Sequence, residues 1–183
     1  MILISACLLG CACRYDGKSK PHPLAQELAR RGLVIPVCPE QLGGLPTPRA
    51  PSEQQNDRVV SADGTDVTTQ YRRGAEEALR LAALYGCTTA VLKERSPSCG
   101  SGQIYDGSFT GTLTDGWGTH GKGGGAAAGA RRLRGGREPV GAASPGNGYR
   151  KIRNRRRKGR AGGRVPCDFH KKTPVRYVRF GKK

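Results

Sequence analysis

Seven of the 183 residues are cysteines, and three of these hold equivalent places. Cys7 follows the apolar run Ile2–Ala6, Cys38 follows Leu33–Val37, and Cys99 lies in the loop after Thr88–Leu92. In a parallel sheet the loops after the strands gather at one edge, where ligands bind. Each thiol also sits beside turn formers: Gly10 near Cys7, Pro39 after Cys38, and Ser96-Pro97-Ser98 with Gly100 around Cys99. Such loops expose backbone N–H groups that hydrogen-bond thiolates or cluster sulfurs. Three thiolates with no His at ligand spacing suit an iron–sulfur cluster, or a Zn site with one open position. The plainer alternative is three buried structural cysteines, a common fate of free Cys.

The remaining cysteines carry less. Cys11 and Cys13 form a C-x-C beside Cys7 and read as loop residues, with ligation as their alternative role. Cys87 follows the helix-ending Gly86 and reads as core, and Cys167 lies in a basic stretch without an evident partner. His22, His120 and His170 are isolated in sequence, and none reads as a ligand.

Strand and helix signals alternate, as positioning those loops requires. Leu24, Leu28 and Ala29 repeat at helical spacing before Gly32, and Pro39–Pro51 reads as a Pro/Gly-rich loop. Val59–Val60, Asp63-Gly64 and Val67 suggest a small hairpin. Thr69–Tyr85 is the strongest helix, with Tyr71, Ala75, Ala78, Leu79 and Ala82 on one face. Gln103–Tyr105 and Ser108–Leu113 read as a hairpin turning at Asp106-Gly107. The fold class expected is α/β: a small, mostly parallel sheet with flanking helices plus a short β-hairpin.

The net charge of +18 first suggests a nucleic-acid partner. Its distribution removes that inference for the chemistry-bearing part. Residues 1–118 hold 12 Lys/Arg and 12 Asp/Glu, whereas residues 119–183 hold 20 Lys/Arg and only Glu138 and Asp168. We therefore expect a domain over 1–118 and a basic, Gly/Arg-rich, disordered tail over 119–183. Non-specific nucleic-acid binding is expected only through that tail, around Arg153–Arg160. No stretch approaches the roughly 20 apolar residues of a membrane span. The opening Met1–Leu9 reads as a strand and not as a secretory signal, so a cytoplasmic location is expected.

The loops also carry longer motifs, in order: Ser5-Ala6-Cys7-Leu8-Leu9-Gly10, Arg14-Tyr15-Asp16-Gly17, Pro36-Val37-Cys38-Pro39-Glu40, Gly43-Gly44-Leu45-Pro46-Thr47-Pro48-Arg49 and Lys93-Glu94-Arg95-Ser96-Pro97-Ser98-Cys99-Gly100. From about Ile2 to Gly118 the chain resembles the bacterial domain-of-unknown-function family 523, whose characterised members are thiouracil desulfurases. The resemblance implies a [4Fe-4S] cluster held by Cys7, Cys38 and Cys99, with the fourth iron open. It implies non-redox desulfuration of a small thiolated nucleobase or related thiocarbonyl compound, with water as nucleophile. Glu40 is then the candidate base, and Ser98 and Ser101 the candidates to orient water or substrate. Arg14, Asp16, Arg49 and Ser96 are candidates for substrate binding, with a structural turn as the alternative for Asp16. A Zn or redox-sensing thiolate protein is the third functional reading, beside desulfurase and nucleic-acid binder.

Past Gly118 the chain departs from the family, which continues with a helix of the type Val-Thr-Ala-Lys-x-Leu-Leu-x-x-x-Gly-Ile and a last strand. Here Thr119-His120-Gly121-Lys122 leads into runs of Gly, Ala and Arg. Reading the codons one base forward from His120 permits Thr-Ala-Lys-x-x-x-Leu-Leu-x-Glu-x-Gly, close to that helix. A frameshift near codon 118 in a GC-rich gene is therefore expected, and it would account for both the composition and the charge. A chain lacking that helix and strand is expected to expose one edge of its sheet.

Overall fold

Leu3 and Ile4 are neighbours in the chain, yet they face opposite sides of one sheet and both are fully buried. In the computed structural model the described residues are 1–120 together with the strands at 131–132 and 176–179. The strands are β1 (Ile2–Ser5), β2 (Val34–Val37), β3 (Ser52–Gln55), β4 (Arg58–Ser61), β5 (Thr89–Leu92), β6 (Ser101–Tyr105), β7 (Leu113–Trp117), β8 (Arg131–Arg132) and β9 (Arg176–Arg179). The helices are α1 (Pro23–Arg30), α2 (Pro39–Leu42) and α3 (Thr68–Leu84).

The main sheet runs β2-β1-β5-β9-β8 and is parallel throughout. Strand alternation sends Leu3, Ala90 and Leu92 to one face, where they meet Ala78 and Ala82 of α3. It sends Ile4 and Val91 to the other, where Ala25 of α1 joins them. The α/β expectation therefore holds, with two antiparallel hairpins (β3–β4 and β6–β7) beside the sheet. Cys87 is buried in the core on the α3 side. Among the described residues no helix is long and apolar enough to cross a membrane.

Four local expectations need correction. The stretch 39–51 is not all loop, because Pro39 opens the short helix α2, with Cys38 as its N-cap. β4 finds its main ladder partner in Ser52–Gln55, although the expected turn at Asp63-Gly64 is present, with the antiparallel bridge Val60–Asp66 and Val67 N donating to Val59 O at 2.9 Å. The second hairpin turns through Asp106–Thr112 and not tightly at Asp106-Gly107, because Asp106 and Ser108 cap backbone N–H groups that would otherwise join the ladder. The far side of β5 is also not an open edge, since Arg176–Arg179 pairs with Thr89–Leu92. The rest of the expected disordered tail lies outside the described residues, as do Cys167 and His170.

α2 and α3 cross at a point where only glycine fits. A Cβ on Gly74 would overlap the Pro39 carbonyl, and one on Gly43 would overlap the Gln70 carbonyl. Glycine lowers helix propensity, but at Gly74 it brings α2, and so Cys38 and Glu40, against α3. The loop that bears Cys99 is fixed from the other direction. Gly118 N donates to Gly100 O at 2.8 Å, Thr119 N to Pro97 O at 2.9 Å, and His120 N to Ser98 O at 3.0 Å.

Candidate functional site

β1, β2 and β5 are parallel, so the residues that leave their C-terminal ends meet at one edge. Cys7 sits in the 3-10 turn Ala6–Leu9 after β1, Cys38 at the mouth of α2 after β2, and Cys99 in the loop after β5. All three line one cavity of about 320 Å³. Arg14, Glu40, Arg49, Ser96 and Ser98 line it as well. Asp16 and Ser101 do not. Asp16 pairs with Arg14 at 3.1 Å and accepts from Lys18 N, the geometry of a turn. Ser101 is buried at the start of β6, and its Oγ has no hydrogen-bond partner among the described residues.

Glu40 is the polar hub. Its Oε2 accepts from Nε of Arg49 at 2.8 Å and also from Nη2. Its Oε1 accepts from Ser98 Oγ at 2.7 Å and lies 3.4 Å from Ser96 Oγ. The two serine hydroxyls are 2.9 Å apart, and Ser98 Oγ is 3.6 Å from Cys99 Sγ. A hydroxyl carries one proton, so the short bond to Glu40 makes Ser98 the donor there and leaves Ser96 to donate to Ser98. Arg49 is itself pinned, donating through Nη1 to Pro46 O and Thr47 Oγ1 and through Nη2 to Cys13 O. The Glu40 charge raises the Arg49 pKa despite the opposing effect of burial.

Cys99, Cys38 and Cys13 are each held toward the protonated thiol. Burial pushes Cys99 up to about 11, against hydrogen bonds from Ser5 and Ser98. Cys38 is raised first by its hydrogen bond with Cys13 and then by burial. Cys13 rises to about 11: the contact with Cys38 pulls it down, but the contact with Cys7 and burial outweigh that. Binding of a soft metal by these sulfurs would displace protons.

Several cavity residues were discounted in the sequence, as Cys13 was in favour of a loop role, or not singled out there. Cys13 is as buried as Cys99, and Tyr71 reaches the cavity from α3 with its hydroxyl pKa raised by burial. Lys93 is lowered by burial, and its Nζ donates to Glu94 O at 3.0 Å. Glu53 of β3 accepts from Gly107 N and Phe109 N, both at 3.0 Å, and so ties the β6–β7 loop over the cavity. The Lys93-to-Cys99 motif was visible, but its lysine was not singled out. Nothing local to Glu53 marks it, because its partners lie more than fifty positions away in the chain.

Comparison with known proteins gives three matches. The family profile named 2-thiouracil desulfurase matches residues 2–123. YbbK, an uncharacterized protein of Bacillus subtilis (strain 168), is 40% identical over 128 residues, covering 64% of this chain and 85% of the relative. The solved structure of TudS, a [4Fe-4S]-dependent thiouracil desulfidase, is 49% identical with a TM-score of 0.64, covering 66% of this chain and 82% of TudS. Every residue that lines the cavity falls within the span of the family profile. The chain belongs to the 2-thiouracil desulfurase family.

Proposed function

We propose that this chain removes sulfur from a small thiocarbonyl compound such as a thiolated nucleobase, using a [4Fe-4S] cluster held by Cys7, Cys38 and Cys99. One observation carries the reading: three cysteines from three strand ends line a single cavity together with Glu40. The 49% identity to a [4Fe-4S]-dependent desulfidase supports it.

The donor set fits the group. Thiolates suit iron–sulfur clusters and Zn alike. Ser101 Oγ, two residues past Cys99, is buried and has no hydrogen-bond partner among the described residues.

A cluster held by Cys7, Cys38 and Cys99 would supply Lewis acidity toward a soft thiocarbonyl sulfur, polarising the C=S bond. The chain does the rest. With Oε2 of Glu40 occupied by Arg49, Oε1 is the atom left to accept a proton. A water hydrogen-bonded to Ser98 Oγ passes its proton through that hydroxyl to Oε1, and Ser96 keeps the hydroxyl in line. The reaction is C=S plus water giving C=O plus hydrogen sulfide, with no net electron transfer. Tyr15, Tyr105 and Phe109 line the cavity and offer flat apolar faces to a planar heterocycle. Arg14 Nε, buried and without a partner among the described residues, donates to a ring carbonyl.

Anaerobic preparation of the full chain tests the proposal. A brown protein with about four irons per chain that converts 2-thiouracil to uracil and sulfide is expected. Cys7→Ser, Cys38→Ser and Cys99→Ser should each lose the iron, whereas Cys11→Ser should keep it. Colourless protein retaining one Zn would overturn the cluster.

A further inference from the structure

Three successive side chains of β3 hold backbone groups of other elements. On one side, Gln54 Nε2 donates to Pro97 O at 2.9 Å and to Trp117 O at 3.0 Å. On the other, Gln55 Nε2 donates to Gly107 O at 2.7 Å, and Glu53 Oε2 accepts from Gly107 N and Phe109 N, both at 3.0 Å. Glu53 lines the cavity and is only 8% exposed, yet it makes no ion pair among the described residues. In this it differs from Glu40, which Arg49 neutralises. Its second oxygen, Oε1, takes no hydrogen bond among the described residues and is not closed off from solvent. On so buried a residue in the cavity wall, that open oxygen faces the cavity. Bracing the loop does not require a carboxylate, because the amide oxygen of a glutamine would accept the same two N–H groups. What the carboxylate adds is a second acceptor, held in place because the first is tied to the main chain at two points.

We propose that Glu53 Oε1 accepts a ring N–H of the substrate, so that the cavity selects thiocarbonyl compounds with an unsubstituted N–H beside the C=S group. The identity of the ligand rests on the desulfurase reading. In a cyclic thioamide or thiourea, that N–H lies in the plane of the C=S bond and is a donor without an internal partner. Phe109, whose own N–H is held by the same carboxylate, offers an apolar face to the ring. One side chain thereby sets both the stacking surface and the in-plane hydrogen bond. Arg14 supplies a donor and Glu53 an acceptor, a pair that matches a ring bearing both a carbonyl and an N–H. A substrate alkylated at that nitrogen strands Oε1 without a donor, which is how a hydrogen-bonding site rejects an analogue.

The test measures kcat/KM of the iron-loaded full chain for 2-thiouracil and for its 1-methyl and 3-methyl derivatives. In wild type, methylation at one of the two nitrogens should lower kcat/KM by about tenfold to a hundredfold. Glu53→Gln keeps both bonds to the loop but turns an amide NH2 toward the cavity, donor against donor. It should lose a similar factor on 2-thiouracil, and methylation should then cost it little more, with iron content and melting temperature held. Undiminished kcat/KM in Glu53→Gln would overturn the inference. So would a methylation penalty as large as in wild type, because a methyl that merely collides does so in both proteins. Calorimetric binding of 2-thiouracil separates this contact from the reaction. Binding weakened about tenfold in Glu53→Gln, with turnover in neither protein, would sustain the contact and sink the desulfurase reading. Turnover with equal binding and equal kcat/KM in both would do the reverse, and no binding to wild type would overturn both.

Discussion

Nε of Arg49 lies 2.8 Å from Oε2 of Glu40, and Nη2 of the same guanidinium donates to that oxygen too. Both side chains are nearly out of solvent, at 6% and 12% exposure. Removing the cation therefore strands a carboxylate. Arg49→Ala should cost about 3 kcal/mol of stability, read by denaturant unfolding. Arg49→Lys restores the charge but not the planar fork, and it cannot hold Cys13 O at the same time. It should recover part of the stability while kcat stays about tenfold or more below wild type. Full activity in Arg49→Lys would show that charge alone suffices.

Glu40 and Ser98 should separate chemistry from assembly. Glu40→Gln keeps the size and hydrogen bonding of the side chain but cannot take a proton. Its kcat should fall by about a hundredfold or more with unchanged iron content. Ser98→Ala removes the relay and leaves Glu40 in place, so a smaller loss of about tenfold is expected. Steady-state kinetics beside iron analysis checks both. Unaltered kcat in Glu40→Gln would sink its role as base.

What the sequence revealed depended on how local the signal was. Cys7, Cys38 and Cys99 were readable because each comes just after an apolar run, and parallel strands deliver their C-terminal loops to one edge. Helix α3 was readable from its 3.6-residue repeat. Cys13 was not, since its place depends on the carbonyl contact with Arg49, thirty-six positions away. Short α2 was hidden among prolines and glycines whose composition says loop. The partner of β4 was missed because Ser52–Gln55 lacks the alternation of a half-buried strand, and its buried members are Glu53 and Gln54.

His120 gives a pH signature. Burial holds its imidazole at about 4, below the ordinary 6.5. Between those values the unfolded chain takes up a proton that the folded chain refuses. Its contribution to stability is thus complete above pH 6.5 and is lost as pH falls towards 4, by up to about 3 kcal/mol. His120→Asn should flatten that acid limb of the stability curve, measured by denaturant midpoints at pH 7 and pH 5. An acid limb of the same slope in the variant would contradict this.

Gly74→Ala tests the glycine crossing. The added methyl has no room against the Pro39 carbonyl, so α2 must move and take Cys38 and Glu40 with it. Iron uptake and melting temperature should fall together, the latter by several degrees. Ala at the open position Gly86 meets no atom but has a left-handed φ of 60°, so it should affect stability alone.

The residues that brace the Cys99 loop end at His120, and the runs of Gly, Ala and Arg begin just after it. We expect the nucleotide sequence of codons 115–125 to show a one-base slip there relative to close relatives. An intact frame whose encoded tail recurs in those relatives would refute the slip.

Because α2 meets α3 carbonyl to Cα at Gly43 and Gly74, the main chain alone sets the depth of the cavity on that side. Side-chain replacement can make that wall neither wider nor narrower without dislodging Cys38. The opposite rim is different in kind: Phe109 sits on a loop tied to β3 by side chains, the carboxylate of Glu53 and the amide of Gln55. Any drift in substrate range among such proteins is therefore confined to the rim. Changes there can remodel what enters while Cys38 stays where the two helices set it.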